Sequence, residues 1–326
     1  MSNLKRVAIL TSGGDAPGMN AAIRAVVRAA LTHGIETMGV MSGYAGLIEG
    51  QFRPLDSWAV SGILQRGGTI LHSARAPSFS FPETQQQAVR HLEKAGIEAL
   101  IVIGGNGSQM GSYMLSQLGV HVVGIPSTID NDLFGTDITI GCDTAINVTL
   151  NAIDHLRTTG SSHNRAFLVE TMGRDCGYLA IMAGLAGGAE VISTPEFEVS
   201  ASEIAQRLRA AFERGKTHAI VVIAEGVKEN AAKILTYFDA HKERTGFELR
   251  ATTLGHVVRG APPSAFDRLL ATRLGVNAVK LLRNGETGVL VGYQKNEVTR
   301  TPLADIVGRT KPVDTELVEL ARILAK

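Results

Sequence analysis

Short apolar runs alternate with helix-like segments along almost the whole chain, and this pattern constrains the fold more than any other feature. Residues 7–10, 99–103 and 219–224 are runs of this kind, typical of buried strands. Strands that alternate with helical patterns favour βαβ units and a parallel sheet. With 326 residues, the chain is long enough for about two domains. We therefore predict a parallel α/β architecture.

The remaining predicted elements follow the same alternation. Further strands are predicted at 35–41, 121–125, 165–170, 190–192 and near 250–254. Helices are predicted up to about residue 33, near 57–65, and at 82–95, 143–156 and 201–212, with one more helix-strand pair and a C-terminal helix at the end.

Composition excludes several function classes. The net charge is +1 and there is no basic run, so we expect no nucleic-acid and no membrane partner. The longest apolar runs are strand-sized, and the N-terminus lacks the apolar core of a signal peptide. Cys142 and Cys176 make neither a disulfide framework nor a zinc site. We expect a cytoplasmic protein.

Two carboxylates follow the predicted strand 121–125. Pro126 cannot continue a central strand, so the chain leaves the sheet there, at the end where open α/β sheets bind ligands. Thr128, Asp130 and Asp132 lie on the loop that follows. Carboxylates this close together suit a general base beside a metal-bound phosphate. An Asn/Asp-rich surface turn is the alternative.

Glycine-rich loops follow two further strands, at residues 11–18 and 104–108. Such a loop before a helix presents backbone N–H groups to an anion, although a tight turn without a ligand fits the same pattern. Gly105 and Gly107, with Gly111, also form a loose dinucleotide fingerprint. Its spacing is off by one residue, and the next strand lacks the acidic residue for a ribose. That pattern leaves a dinucleotide-dependent oxidoreductase as a second class of function.

Four motifs together resemble the bacterial ATP-dependent 6-phosphofructokinases, over essentially the whole chain. They are TSGGDAPGMN at 11–20, TIDND at 128–132, MGR at 172–174 and HVVRG at 256–260. The resemblance implies two Rossmann-like three-layer domains with mostly parallel sheets. A larger nucleotide-binding domain would comprise 1–140 and about 257–307. A smaller sugar-phosphate-binding domain would comprise about 141–256 and 308–326. It also implies a homo-oligomer, a tetramer in similar enzymes.

The resemblance further implies phosphoryl transfer from ATP to the 1-hydroxyl of fructose 6-phosphate, with Mg²⁺. Asp130 would be the general base, flanked by Thr128, and Arg174 would stabilise the transferring group. Asp132 and Asn106 would lie at the metal. The nucleotide phosphates would contact Gly14, Arg75, Gly105, Asn106, Gly107 and Ser108. The sugar phosphate would contact Thr128, Ile129, Asp130, Met172, Gly173, Arg174, Glu225, His256 and Arg259, with Arg165 and Arg250 reaching it from a neighbouring subunit.

A regulatory site for ADP or phosphoenolpyruvate is also implied. It would use Arg24, Arg28, Arg157, Gly188, Glu190, Arg214, Lys216 and His218. Arg24 and Arg28 are spaced i, i+4 on one helix, so they could clamp a phosphate or simply lie solvated on a surface.

The chain departs from the family pattern mainly on the nucleotide and metal side. Asn106 replaces the usual metal-binding aspartate and lacks its charge. Ser127 and Gly107 are not the lysine and aspartate of pyrophosphate-dependent relatives, so ATP is the expected donor. An alternative is a weakly active or regulatory paralogue that binds sugar phosphate and effectors. The other departures are Ala76, Val258 and Ser57.

Overall fold

The computed structural model describes residues 4–241 and 248–324. The strands are β1 (Arg6–Thr11), β2 (Glu36–Val40), β3 (Phe52–Leu55), β4 (Ala99–Gly104), β5 (His121–Pro126), β6 (Arg165–Thr171), β7 (Val191–Ser193), β8 (Ala219–Ala224), β9 (Glu248–Thr253), β10 (Val289–Gln294) and β11 (Glu297–Pro302). The helices are α1 (Met19–Thr32), α2 (Gly43–Glu49), α3 (Pro82–Lys94), α4 (Asn106–Gln117), α5 (Cys142–His163), α6 (Tyr178–Ala186), α7 (Ala201–Glu213), α8 (Ala231–Ala240), α9 (Ala265–Arg283), α10 (Leu303–Ile306) and α11 (Thr315–Leu324).

The chain forms two compact units. The described residues of unit 1 lie in segments 4–129, 133–144 and 259–311. Those of unit 2 lie in segments 130–132, 145–241, 248–258 and 312–324. The sequence predicts domain boundaries near residues 140, 256 and 307. In the structure, the chain passes from one unit to the other after residues 144, 258 and 311. The assignment of nucleotide and sugar phosphate to separate domains stays a prediction.

Unit 1 is built on a seven-stranded sheet in the order β11-β10-β5-β4-β1-β2-β3. The five inner strands are parallel, and β3 and β11 pair antiparallel at the two edges. One face packs on α2, α3 and α4 through residues such as Leu47, Leu92 and Leu115. Helix α1 packs against α9, and Gly275 allows the close approach, since a Cβ there would lie 2.8 Å from the Cβ of Ala25.

Unit 2 has a four-stranded parallel sheet in the order β7-β8-β6-β9. Alternate residues of β8 face opposite sides, as the two-residue period of a strand requires. Val221 and Ile223 pack with α7 and α8 on one side, and Ile220 and Val222 pack with α5 and α6 on the other. Each unit therefore confirms the predicted α/β class with mostly parallel sheets.

The helix predicted near 57–65 is wrong, because the structure has successive turns there. The Oδ1 atom of Asp56 accepts hydrogen bonds from the N–H groups of Trp58 and Ala59, as an N-cap does, but only turns follow. Gly62 then adopts a left-handed conformation, with φ of 66°. Among the described residues, no helix is long and apolar enough to cross a membrane.

Candidate functional site

The loop after β5 is held by backbone hydrogen bonds on both sides of Thr128. The N–H of Ser127 donates to the carbonyl of Gly104, and the N–H of Thr128 donates to the carbonyl of Ile140, each at 3.1 Å. The hydroxyl of Thr139 donates to the carbonyl of Thr128 at 2.6 Å. Thr128 also lies next to Gly105, since a Cβ at Gly105 would be 3.4 Å from the Thr128 Cβ. The backbone at Thr128 is therefore fixed beside the start of α4.

The two carboxylates of this loop belong to unit 2. Asp130 and Asp132 are half-buried, and Asn131 between them is buried with a left-handed φ of 51°. The Sγ of Cys176 donates to the carbonyl of Asp130 at 3.3 Å. Burial raises the pKa of the Cys176 thiol to about 12, and the charges of Glu196, Asp132 and Asp130 act in the same direction. Cys176 is thus a neutral donor that holds the loop, not a nucleophile.

The glycine-rich loop after β1 touches an arginine that lies far away in the sequence. Arg259 donates from Nη1 to the carbonyl of Asp15 at 2.9 Å. A Cβ at Gly14 would meet that guanidinium group, so a larger residue there would displace the arginine side chain. The hydroxyl of Ser73 donates to the carbonyl of Gly13 at 2.5 Å and closes the loop from the other side. Unit 1 therefore brings Gly14 together with Arg259, while Arg75 lies exposed on the loop after Ser73.

The second glycine-rich loop leads into the N-terminus of α4. Gly105 is the N-cap and supplies no side-chain cap, so Asn106, Gly107 and Ser108 form the first turn. The N–H groups of a first helical turn have no intrahelical partner and attract anions. Gly107 is exposed, and a Cβ there would meet only open space. The hydroxyl of Tyr44 donates to the Ser108 carbonyl at 2.7 Å and fixes this turn from below.

In unit 2, the expected sugar-phosphate residues gather where parallel strands end. Met172, Gly173 and Arg174 follow β6, Glu225 follows β8, and His256 follows β9. The N–H of Glu225 donates to the carbonyl of Thr171 at 2.8 Å, which ties two of these ends together. Arg174, Glu225 and His256 are exposed. A cation, an anion and an imidazole are thus available at the carboxyl ends of the strands.

Arg165 lies at the opposite end of the strands of this sheet, and Arg250 lies in the middle of β9, paired in register with Phe167. Arg165 is the first residue of β6 and is paired in register with Glu248, the first residue of β9. Since a strand rises about 3.3 Å per residue, Arg165 is about 20 Å from Thr171, and Arg250 is about 10 Å from the end of β9. Within one chain, therefore, Arg165 does not join the residues at the carboxyl ends of the strands, and Arg250 is paired with Glu248 at the start of β9.

A carboxylate connects these two arginines. Glu248 accepts a hydrogen bond from Nε of Arg165 at 2.9 Å and is also paired with Arg250. The hydrogen bond from Arg165, with the charges of both guanidinium groups, lowers the pKa of Glu248. The two arginines are thus presented together. Sequence reasoning missed Glu248, although its spacing of two residues from Arg250 places both side chains on one face of a strand.

Most of the expected effector residues form a second cluster in unit 2. Lys216 Nζ lies 2.8 Å from Oε1 of the buried Glu190, whose other oxygen accepts from the N–H of Ile220 at 2.6 Å. Arg157 donates to the carbonyl of Gly188 at 3.1 Å. His218 is hydrogen-bonded to Ser161 at 2.8 Å, and burial, followed by the charge of Arg157, lowers its pKa.

The other expected effector residues are one arginine at the end of α7 and two arginines of unit 1. Arg214 is the exposed C-cap residue of α7. Arg24 and Arg28 belong to α1 of unit 1, where Arg24 is half-buried and Arg28 exposed.

The expected metal ligands suit a hard cation in kind. Asp132 offers a carboxylate oxygen and Asn106 an amide oxygen, which are the donors that Mg²⁺ accepts. No cluster of three acidic, histidine or cysteine residues that could hold a metal occurs in the described ranges 4–241 and 248–324. Such a cage is not required, because protein-bound Mg²⁺ commonly uses one or two carboxylates with substrate phosphates and water.

Glycine-rich loops that suit anions follow parallel strands, and arginines and two neighbouring carboxylates accompany them. These features are typical of an enzyme of phosphoryl transfer. The phosphofructokinase family model matches residues 6–282. The ATP-dependent 6-phosphofructokinase of Halothermothrix orenii is 46% identical over 99% of this chain and 100% of its own. That of Bacillus pumilus is 48% identical with the same coverage. The chain therefore belongs to the phosphofructokinase family.

Solved structures agree on the fold. Phosphofructokinase from Saccharomyces cerevisiae superposes with a TM-score of 0.86 at 37% identity, over 98% of this chain and 48% of that chain. The pyrophosphate-dependent phosphofructokinase from Marinobacter aquaeolei gives a TM-score of 0.85 at 21% identity, and that similarity concerns the fold alone. The dinucleotide fingerprint at Gly105 gains no support from these relatives.

Proposed function

We propose that this protein is an ATP-dependent 6-phosphofructokinase, which transfers the γ-phosphoryl group of ATP to the 1-hydroxyl of fructose 6-phosphate and so forms fructose 1,6-bisphosphate in glycolysis. The observation that carries this function is end-to-end similarity at 46–48% identity to relatives with that activity in their names. These relatives favour an active enzyme over a regulatory paralogue.

Asp130 is the general base in this proposal. Its carboxylate accepts the proton of the sugar 1-hydroxyl as that oxygen attacks the γ-phosphorus, and the bond from phosphorus to the ADP oxygen breaks. Thr128 borders the reacting groups beside the N-terminus of α4. Arg174, exposed at the end of β6, supplies positive charge to the transferring group.

The nucleotide phosphates are assigned to unit 1. The N–H groups of Gly105, Asn106 and Gly107 and the loop at Gly14 are suited to bind them. Arg75, two residues after the Ser73 that bonds this loop, would supply a cation. Mg²⁺, held through Asp132 and Asn106, would neutralise phosphate charge when bound. Met172, Glu225, His256 and Arg259 are assigned to the sugar phosphate.

We further propose an oligomeric enzyme. Because Arg165 lies at the start of β6 and Glu248 pairs with both Arg165 and Arg250, the two arginines would serve the sugar phosphate bound by a neighbouring subunit. A homotetramer fits this assignment. The cluster of Arg157, Glu190 and Lys216 would bind ADP or phosphoenolpyruvate as an effector, helped by Arg24, Arg28, Gly188, Arg214 and His218.

Product analysis with alternative donors tests the proposed function. The enzyme is incubated with fructose 6-phosphate and Mg²⁺, together with ATP, pyrophosphate or neither, and the bisphosphate is measured by ³¹P NMR. We expect fructose 1,6-bisphosphate and ADP with ATP, and no product with pyrophosphate. If product forms only with pyrophosphate, the assignment of ATP as the donor is overturned. If no product forms with either donor, the assignment as a phosphofructokinase is overturned.

A further inference from the structure

A buried carboxylate supports the segment that follows the candidate catalytic loop. Asp267 lies in the first turn of α9 and is fully buried. Its Oδ1 accepts from the N–H of Gly141, and its Oδ2 accepts from the N–H of Thr144, both at 2.8 Å. The hydroxyl of Thr144 also donates to Oδ2, at 2.5 Å. Three donors of segment 141–144 therefore converge on one side chain.

The residues just before this segment hold Thr128. The Ile140 N–H donates to the carbonyl of Pro126, and its carbonyl accepts from the N–H of Thr128, each at 3.1 Å. The hydroxyl of Thr139 donates to the Thr128 carbonyl at 2.6 Å. Thr139 and Ile140 thus bind both backbone polar groups of Thr128. They are continuous with the residues that Asp267 holds, and residues 139–144 together form one strip.

Close packing leaves this strip little freedom to move. Gly141 has a left-handed φ of 101°, and a Cβ there would lie 2.6 Å from the Cβ of Ala16. A Cβ at Gly18 would lie 2.6 Å from Cγ2 of Ile140. Because the strip packs closely against the loop after β1, we expect a change at Asp267 to shift Thr128 instead of being absorbed by rearrangement.

We propose that Asp267 and Thr139 are positioning residues for the phosphoryl-transfer step, which hold Thr128 through the strip 139–144. The proposal rests on the proposed function, which places Thr128 beside the reacting groups. Neither residue touches substrate in this proposal, so their loss should slow the chemical step and leave substrate binding nearly unchanged. Misplacement of a catalytic group by a fraction of an ångström to 1 Å costs up to about a hundredfold in rate.

The test compares Asp267→Asn, Thr139→Val and Thr139→Ser with Glu229→Gln as a control. The carboxylate of Glu229 also accepts a hydrogen bond at the start of a helix, from the N–H of Ala201 in α7, but Glu229 is exposed and remote in sequence from the strip. We expect kcat to fall about tenfold or more in Asp267→Asn and Thr139→Val, with both KM values within about twofold. Thr139→Ser, which keeps the hydroxyl, and Glu229→Gln should keep kcat near wild type.

Hydrogen exchange at the amide of Thr128 supplies a readout that needs no activity. We expect faster exchange at Thr128 in Asp267→Asn than in Glu229→Gln. If wild-type enzyme makes no bisphosphate while this exchange difference is present, the proposed function fails and the structural coupling stands. If Thr139→Val and Asp267→Asn retain wild-type kcat and wild-type exchange at Thr128, the positioning role is overturned. If Asp267→Asn does not fold, Thr139→Val decides the matter alone.

Discussion

At the scale of single residues, Asn106 is the position where we expect the charge of a side chain to affect Mg²⁺ binding most. Asn106 lies in the first turn of α4, next to the exposed Gly107. An amide oxygen is a weaker ligand for Mg²⁺ than a carboxylate, because it carries no charge. The neutral side chain also avoids adding negative charge where ATP phosphates are expected to bind.

We therefore predict that Asn106→Asp lowers the Mg²⁺ concentration for half-maximal rate by about tenfold and raises kcat. The magnitude follows from metal sites, where changes even beyond the ligands alter affinity by roughly 10–100-fold. The measurement is the initial rate at varied Mg²⁺ with fixed ATP and fructose 6-phosphate. Intact mass should first exclude deamidation of Asn106. An unchanged Mg²⁺ requirement would show that the metal is held without this residue.

At the scale of secondary-structure elements, the interior strands and the edge strands β7 and β9 of unit 2 were predictable, and the edge strands β3 and β11 of unit 1 were not. Strands such as β4 and β8 are buried on both faces, so they appear as continuous apolar runs. Strand β3 has only four residues, with Arg53 and Pro54 exposed, and β11 mixes polar and apolar residues without a buried position, so both lack that signal. The turn between β10 and β11 uses Lys295 and Asn296, both with positive φ, in place of the Asn-Gly pair that marks such hairpins.

The candidate site divides in the same way. Loops at Gly14, Gly105 and Asp130 carry local motifs, so sequence alone pointed to them. Asp267 and Gly141 are separated by 126 positions, and no local pattern connects them. The pairing of Arg165 with Glu248 likewise depends on the register between β6 and β9. Pairings across such distances arise from tertiary packing and were accessible only in the structure.

We expect the stability of the protein to depend on pH through Asp267. This residue lies in the first turn of α9 and accepts hydrogen bonds at the start of α5. Burial, opposed by hydrogen bonds from Thr144 and Gly141 and assisted by the charge of Asp143, raises the pKa of Asp267 from 3.8 to about 6. Between these values the folded state retains a proton that the unfolded state has released. The free energy of unfolding contributed by this group therefore falls as pH rises through this window.

We predict that the stability of wild type relative to Asp267→Asn decreases by up to about 3 kcal/mol from pH 4 to pH 7, since each pKa unit corresponds to about 1.4 kcal/mol. Urea unfolding of both proteins at several pH values measures this difference, with Glu229→Gln as the control. A difference that stays constant with pH would mean that Asp267 titrates alike in the folded and unfolded states.

At the scale of the whole molecule, Arg165 and the residues after β6 lie at opposite ends of the same strand. This placement suggests that one chain cannot complete its own site. Asp130→Asn lacks the proposed base but keeps Arg165, and Arg165→Ala keeps the base. In a symmetric oligomer formed from both, half of the sites have the base, and half of those face an intact arginine, so about a quarter should be complete.

Mixing these two variants under conditions of subunit exchange should therefore restore activity at low fructose 6-phosphate. The matched control mixes Arg165→Ala with Arg250→Ala. Both changes affect the same edge, so no complete site arises and no recovery is expected. Exchange itself is followed by native mass spectrometry of differently labelled chains. Hybrids that form without any gain in rate would place Arg165 outside a shared site.

The central claim is that Asp130 takes the proton from the sugar hydroxyl during phosphoryl transfer from ATP. The most direct measurement is kcat of Asp130→Asn, beside the dissociation constant of fructose 6-phosphate by titration calorimetry on the same sample. Asparagine keeps the size of the side chain but cannot act as a base. We predict that kcat falls by about 10²–10⁴-fold while sugar binding changes by less than about threefold. A kcat within about fivefold of wild type would contradict the account, because another group would then have to accept the proton.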